Sequence, residues 1–403
     1  MSAALAPAEE AEIVAAVAAA FAEGVPLEIS GRGSKRGMLR PVQAQRGLSL
    51  AAHAGIVFYS PQELVISAKA GTPLAEIEAA VAARGQHVIS EPPDLAVLLD
   101  RAAMPQTIGG VVAANLSGPR RVSWGATRDH VLGVRAVNGQ GEMIRSGGRV
   151  LKNVTGLDLC KLLAGSHGTL AVLTEITLKV LPAPERTGSL VLAGLDPMRG
   201  VAALSSALGS PYGVSAAAYL PAEAAARVPA LAAFGGAVAL VRIEDFATSV
   251  AYRTDRLRQD LAAYGRAEFL DDTASRAAWA AIRDAVPLHG ETGAIWRVSV
   301  RPSTGPSVAE AVERAFGARW FMDWGGGLVW IAGPATEAAH EAVMAAARVA
   351  GGTWMLLRAP EGLRASVPVI PEEPAALARI TASVKAAFDP GGILNPGRLY
   401  AGV

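Results

Sequence analysis

A basic, glycine-rich stretch is the first place where this sequence could do chemistry. Gly31-Arg32-Gly33-Ser34-Lys35-Arg36-Gly37 follows Leu27–Ser30, a short run that reads as a strand. Glycines in such a loop let backbone N–H groups face an anion, and Arg32, Lys35 or Arg36 can add charge. The chemistry would be phosphate binding, although the loop alone is equally well read as a solvated turn. A Rossmann dinucleotide turn is the competing idea. It needs a helix directly after the glycines and an acidic residue about 20 positions on. Pro41, in Met38-Leu39-Arg40-Pro41, argues against that helix.

Four more segments carry similar texture. In Met104-Pro105-Gln106-Thr107-Ile108-Gly109-Gly110-Val111-Val112-Ala113-Ala114-Asn115, paired glycines allow backbone to approach a ligand where a Cβ would clash. A tight turn before a helix explains that segment equally well. Ser117–Asp129 and Gly147–Asp158 follow, the latter with Lys152, Asn153 and Asp158, unusual choices for a plain turn. Gly165-Ser166-His167-Gly168-Thr169-Leu170 then leads into an apolar run. The histidines are His53, His87, His130, His167, His289 and His340, and no two lie at ligand spacing. A metal site is not expected.

Regular elements must position these loops. Residues 8–22 read as a helix ended by Gly24, and Leu64–Ala70 alternates like a strand. Thr72 is placed to cap a helix over Pro73–Arg84, with Glu76 at capping-box spacing. Asn138-Gly139 joins two β-branched runs, Val131–Val137 and Gly141–Arg145, as a hairpin turn. Ala171–Leu178 is a further strand, and Pro182 and Pro184 mark a boundary. Beyond it, strands alternate with helices: strands at 189–193, 213–220, 237–243, 266–270, 293–300, 328–332 and 353–358, helices at 200–208, 247–264, 307–316 and 337–350. An open sheet faced by helices follows. A helix at 375–388 and the tail Asp389–Arg398 close the chain. The fold class is α+β, with domains expected at 1–182 and 183–370 and a terminal helix and tail at 371–403.

Composition removes several classes. A net charge of +1 gives no broad field for nucleic acid or an anionic membrane. Trp320, Trp324 and Trp330 are not interleaved with a basic stripe and read as core or interface anchors. The single cysteine, Cys160, precludes an internal disulfide and an iron–sulfur cluster ligated within this chain. The acidic N-terminus does not read as a signal peptide, and the uncharged stretch 200–222 is broken by Gly209, Pro211 and Gly213, so no membrane span is expected. The sequence reads as a cytoplasmic protein, peripheral to the inner membrane at most through a complex.

Taken together and in this order, the motifs resemble the FAD-binding family typified by vanillyl-alcohol oxidase and p-cresol methylhydroxylase. The match covers about the first 180 residues and the last 15. The resemblance implies a two-subdomain flavin domain. It places Gly31, Arg32, Gly33, Ser34 and Lys35 on the FAD pyrophosphate. It also places Thr107, Gly109, Gly110, Asn115, Ser117 and Gly118 along the cofactor, and Gly165, Gly168, Thr169 and Val172 in a later wall. The tail is similar to the family's returning C-terminal segment, which puts Asn395 near the flavin. Some relatives attach the flavin through a histidine of the first loop or a cysteine. This loop has no histidine and Cys160 lies away from the usual segments, so non-covalent FAD is expected.

Within that family, Trp124–Gly133 and Gly147–Asp158 resemble the FAD-binding subunits of bacterial glycolate oxidases. That resemblance implies a complex with a larger FAD-binding subunit and an iron–sulfur subunit. The catalytic relatives hold a 2-hydroxy acid through a metal-binding histidine cluster that this sequence lacks, and His167 stands where a glutamate is common among them. Oxidising such an acid requires a base and a cation for its carboxylate. His289 and Arg297 are weak candidates for those roles, with Arg301 and Arg358 as further cations. Core and surface roles explain all four as well. Next to Glu341, His340 reads as part of a solvated helix face. Three readings stand: a flavoprotein subunit that relays electrons or organises the complex, an independent FAD-dependent 2-hydroxy acid dehydrogenase, and a scaffold whose flavin is structural.

Overall fold

A computed structural model of the chain describes residues 4–148 and 157–402. The Lys152 and Asn153 part of the fourth motif therefore lies outside the described residues.

The chain opens with α1, Glu10–Glu23, started by a capping box between Glu9 and Glu12 and stopped by Gly24 at φ 64°. Ile13, Val17 and Ala20, spaced four and three apart, form its buried face. Strand β1, Leu27–Ser30, pairs in parallel with β2, Arg46–Ser49. The next strands are β3, Ile56–Ser60, β4, Val65–Lys69, β5, Gln86–Val88, β6, Val131–Asn138, β7, Met143–Gly147, and β8, Ala171–Pro182. They form a six-stranded sheet in the order β3-β4-β8-β6-β7, with β5 paired to β8. Strand β8 is almost wholly buried, with Glu175 and Lys179 among its partly exposed positions.

Eight antiparallel strands make the second sheet. They are β9, Arg186–Ala193, β10, Val214–Leu220, β11, Val238–Asp245, β12, Ala267–Leu270, β13, Ala294–Ser299, β14, Arg319–Asp323, β15, Leu328–Gly333, and β16, Thr353–Arg358. Their order is β12-β9-β11-β10-β14-β15-β13-β16, an open sheet. The α+β class and the helix-faced open sheet match the expectation from sequence.

The two sheets share more than a boundary. The core of the eight-stranded sheet takes in Met38, Leu39, Leu95, Leu98, Leu99 and Leu116 from the N-terminal part of the chain. A closed ring of buried ions sits on the same interface. Arg242 on β11 grips Glu91 through two bonds of 3.0 and 2.8 Å, and Arg120 grips Glu244 through bonds of 3.0 and 2.7 Å. Arg120 also reaches Glu91 at 3.1 Å, and Arg242 reaches Glu244 at 3.3 Å. Burial pushes both carboxyls up, but the Arg242 and Arg120 charges outweigh it and hold each below the usual carboxylate range.

Several local expectations are corrected. Thr72 caps nothing: its hydroxyl donates to the carbonyl of Lys69 at 2.6 Å, and Pro73 takes the cap position of α2, Leu74–Ala82. The Asn138-Gly139 turn is wider than a two-residue hairpin. Asn138 Oδ1 accepts from the N–H groups of Gln140 and Glu142, an Asx arrangement that delays β7 until Met143. Strand β14 and the helix Asp272–Arg283, capped by Asp271, were not foreseen. His340 is not solvated. It is 1 % exposed, and its Nδ1 accepts from the Trp296 indole at 3.0 Å. The 200–222 stretch is a helix, Pro197–Leu208, followed by β10. No helix among the described residues is long and apolar enough to cross a membrane.

Candidate functional site

A cleft of about 820 Å³, open mouth included, lies between the basic glycine loop, the start of the helix α3 (Ile108–Ala114), strand β8 and the C-terminal tail. No helix follows the loop, as Pro41 foretold. The loop presses directly on α3: a Cβ on Gly31 would stand 2.3 Å from Thr107 Oγ1. That oxygen is already committed, because Thr107 caps α3 by accepting from the Gly110 N–H at 3.3 Å. At Gly109 a Cβ would meet the Ala70 carbonyl at 2.8 Å, so α3 can lie against the end of β4 only with glycine there.

The tail completes the wall by pairing with β1. Leu27 donates to the Ile393 carbonyl at 2.7 Å, and Asn395 donates back to the Leu27 carbonyl at 3.0 Å. The Asn395 side chain then works in both directions. Its Oδ1 accepts from the Ile29 N–H at 2.7 Å, and its Nδ2 donates to the His167 carbonyl at 2.8 Å. Asp389 anchors the tail, accepting from Leu394 at 2.8 Å and from Lys385 Nζ at 2.6 Å. Asn395→Asp keeps the acceptor but turns the second contact into repulsion between oxygens. The expected outcome is a loss of about 1–3 kcal/mol in a denaturant melt.

Charge in the cleft is cationic and unbalanced. Lys35 Nζ rests on Gln106 Oε1 at 3.1 Å, and burial pulls its pKa down to about 8. Arg398 spends its guanidinium on the carbonyls of Lys35 and Arg40, at 2.8 and 3.1 Å. Burial, then the charge of Arg364, lowers its pKa to about 10. His167 is driven to about 3 by burial and by the Arg398 and Lys35 charges, so it is a neutral imidazole. Glu28 also faces the cleft, but it is paired with Arg36 at 3.0 Å. A multiply charged anion such as a pyrophosphate fits this cradle: Lys35 has no acidic partner within ion-pair distance among the described residues.

Ten expected residues meet in this cleft: Gly31, Arg32, Gly33, Ser34, Lys35, Thr107, Gly109, Gly110, Gly168 and Asn395. Six others lie off its wall. Asn115 ends α3 at φ 49° and accepts from Arg128, while Ser117 bonds to Thr127. Gly118 accepts from the Trp324 indole through its carbonyl. Gly165 and Thr169 open onto a neighbouring pocket with Leu170 and Tyr400. Val172 is fully buried in the core, because the alternation of β8 turns its neighbours Ala171 and Leu173 to the cleft. Arg36, named from sequence as a further cation of the loop, also lines the cleft, whereas Glu28, His167 and Arg398 were not expected there. Arg398 had a usable signal, the basic end of the Asn-Pro-Gly-Arg tail; the others had none.

The candidates for substrate chemistry separate. His289 Nε2 donates to the Asp284 carbonyl at 3.1 Å, and no hydrogen bond or ion pair among the described residues joins it to Arg297. Arg358 is occupied by the carbonyls of Leu98 and Gly293 at 2.8 and 2.9 Å. Arg301 sits exposed at the start of a 3-10 turn.

Comparison with known proteins decides the family. An FAD binding domain model matches residues 1–147. The glycolate oxidase subunit GlcE of Escherichia coli (strain K12) is 35% identical over 383 residues, covering 95% of each chain. This chain belongs to the GlcE family of FAD-linked oxidoreductases. It binds FAD, as the family resemblance implied. The glycolate oxidase subunit GlcD of Bacillus subtilis (strain 168) is 44% identical over 85 residues, which is 21% of this chain and 18% of that protein. The fold is that of p-cresol methylhydroxylase: the two superpose with a TM-score of 0.70 at 13% identity, over 98% of this chain and 88% of that one.

Proposed function

We propose that this chain is the FAD-carrying subunit of a glycolate-oxidising complex, in which it relays electrons or organises the assembly. The observation that carries the reading is likeness along 95% of both chains to a protein named as a glycolate oxidase subunit. Its partners in this reading are a larger FAD-binding subunit and an iron–sulfur subunit, with a 2-hydroxy acid as the substrate of the whole complex. The assembly would work in the cytoplasm, reaching the inner membrane only through its partners.

Bound FAD supplies a two-electron carrier. This chain's residues would hold it. Lys35, Arg32 and the loop N–H groups would hold the pyrophosphate, while Ala113, Ala114 and Leu173 would offer the apolar wall. The histidine and glutamate of the cleft wall are poor bases for the hydroxyl proton of a substrate, and Lys35, its pKa lowered to about 8, is committed in this reading to the pyrophosphate. The wall's histidine is neutral at working pH but held at about 3, too weak a base to compete for that proton. Its glutamate, Glu28, is tied to Arg36. This favours oxidation of the substrate on the partner.

Anaerobic mixing with glycolate tests the reading. The flavin of the isolated chain is expected to stay oxidised and to bleach only when the larger subunit is added. Rapid bleaching of the isolated chain would show an independent dehydrogenase instead. A flavin that never changes redox state, even with both partners and turnover, would make it structural.

A further inference from the structure

Two arginines outside the cleft approach the same tryptophan ring, and neither forms an ion pair among the described residues. Arg297 projects from β13 and Arg121 from the short helix Arg121–Trp124, so each comes from a different sheet's side of the interface. The Arg297 guanidinium lies 4.8 Å from the centre of the Trp330 ring and 5.6 Å from that of Trp324. Arg121 lies 4.7 Å from the centre of the same Trp324 ring. Trp324 is held in turn by its indole bond to the Gly118 carbonyl at 3.1 Å.

Neither arginine side chain donates a hydrogen bond or forms an ion pair among the described residues, and Arg297 Nε is enclosed with no acceptor. This contrasts with Arg120 and Arg242 next door, both locked in bidentate carboxylate pairs. Two neighbouring guanidiniums repel each other. Burial and the Arg121 charge together lower the Arg297 pKa to about 10. Asp323 lies close enough to feel Arg297 but forms no ion pair with it among the described residues: one of its carboxylate oxygens accepts from the Trp324 N–H at 2.7 Å, and burial raises its pKa to about 7. Both arginines keep part of their surface open to solvent, so an outside ligand can reach them. Planar guanidiniums beside an indole match a small flat anion better than a tetrahedral one, since each fork can pair with one carboxylate edge.

We propose that Arg121, Arg297 and Trp324 form a binding site for a small carboxylate at the interface of the two sheets. The site is independent of how the flavin turns over, so its failure and that of the proposed subunit role are distinguishable. A carboxylate there would relieve the repulsion between the arginines and tie the two sides of the interface together.

Calorimetric titration of the FAD-loaded chain tests this with glycolate, glyoxylate and oxalate, against chloride and inorganic phosphate at matched ionic strength. The expected result is saturable binding of at least one carboxylate at one site per chain. Arg297→Met and Arg121→Met are each expected to weaken it about tenfold or more, with Arg297→Lys intermediate. Flavin content should not change, and the melting temperature of both methionine variants should hold or rise, because an unpaired charge is removed. Absence of saturable carboxylate binding would overturn the site. So would binding that both methionine variants retain, or equal binding of chloride or phosphate.

Discussion

Arg242→Met is expected to destabilise the folded chain by about 3–5 kcal/mol, the largest stability effect of any single substitution considered. Arg242 is 2 % exposed and satisfies Glu91 bidentately, while also touching Glu244. Removing it leaves two buried carboxylates to share Arg120 alone. The ring crosses the interface, with Glu91 and Arg120 on one side and Arg242 and Glu244 on the other. Loss should therefore appear as early separation of the two halves, and a denaturant melt should become two-stepped. The double substitution Arg242→Met with Glu91→Met should recover much of the loss, since both lone charges are then gone.

The same ring sets an acid limit. Glu91 and Glu244 have folded pKa values held below the unfolded carboxylate value, about 4.3. Their stabilisation is fully present above that value and is lost as pH falls through the folded values. A stability profile should be flat near neutrality and drop below about pH 4. In the Arg242→Met variant the drop should begin at higher pH.

Lys35→Met is expected to weaken FAD binding about 10- to 100-fold, the cost of one charge-assisted hydrogen bond at a buried anion. The pH dependence distinguishes this from a packing defect. Burial lowers Lys35 to about pKa 8 in the free chain, and a bound pyrophosphate would raise it. FAD binding then takes up a proton above pH 8, so affinity should fall as pH rises past that value. The methionine variant should show no such fall. Equilibrium dialysis of FAD across that pH range reads both effects.

The glycine-lined cleft was largely legible because it rests on backbone. Gly31 and Gly109 are needed where chain presses on chain, and such glycines stand out in a sequence. Thr107 was expected along the cofactor from the resemblance, and its role as the cap of α3 emerged only in the structure. What stayed hidden depends on pleat and distance. Val172 and Leu173 differ by one position on β8, and only the fold tells which faces the cleft. The ring of Glu91, Arg120, Arg242 and Glu244 joins residues 151 positions apart, and no local pattern marks such a pairing. His340 was misread because its neighbour is charged, whereas burial follows from the helix face it shares with Val343 and Ala347. Strand β14 was missed because tryptophan, phenylalanine and methionine in a short run fit several structures equally well.

The central claim is that one FAD sits in the cleft closed by the tail, held without a covalent bond. Acid precipitation of the purified chain tests it most directly. The account predicts one FAD per chain, all of it released to the supernatant, and a marked loss of bound flavin in an Asn395→Asp variant. Flavin that stays with the precipitated protein, or a soluble, folded chain that carries no FAD, would contradict it.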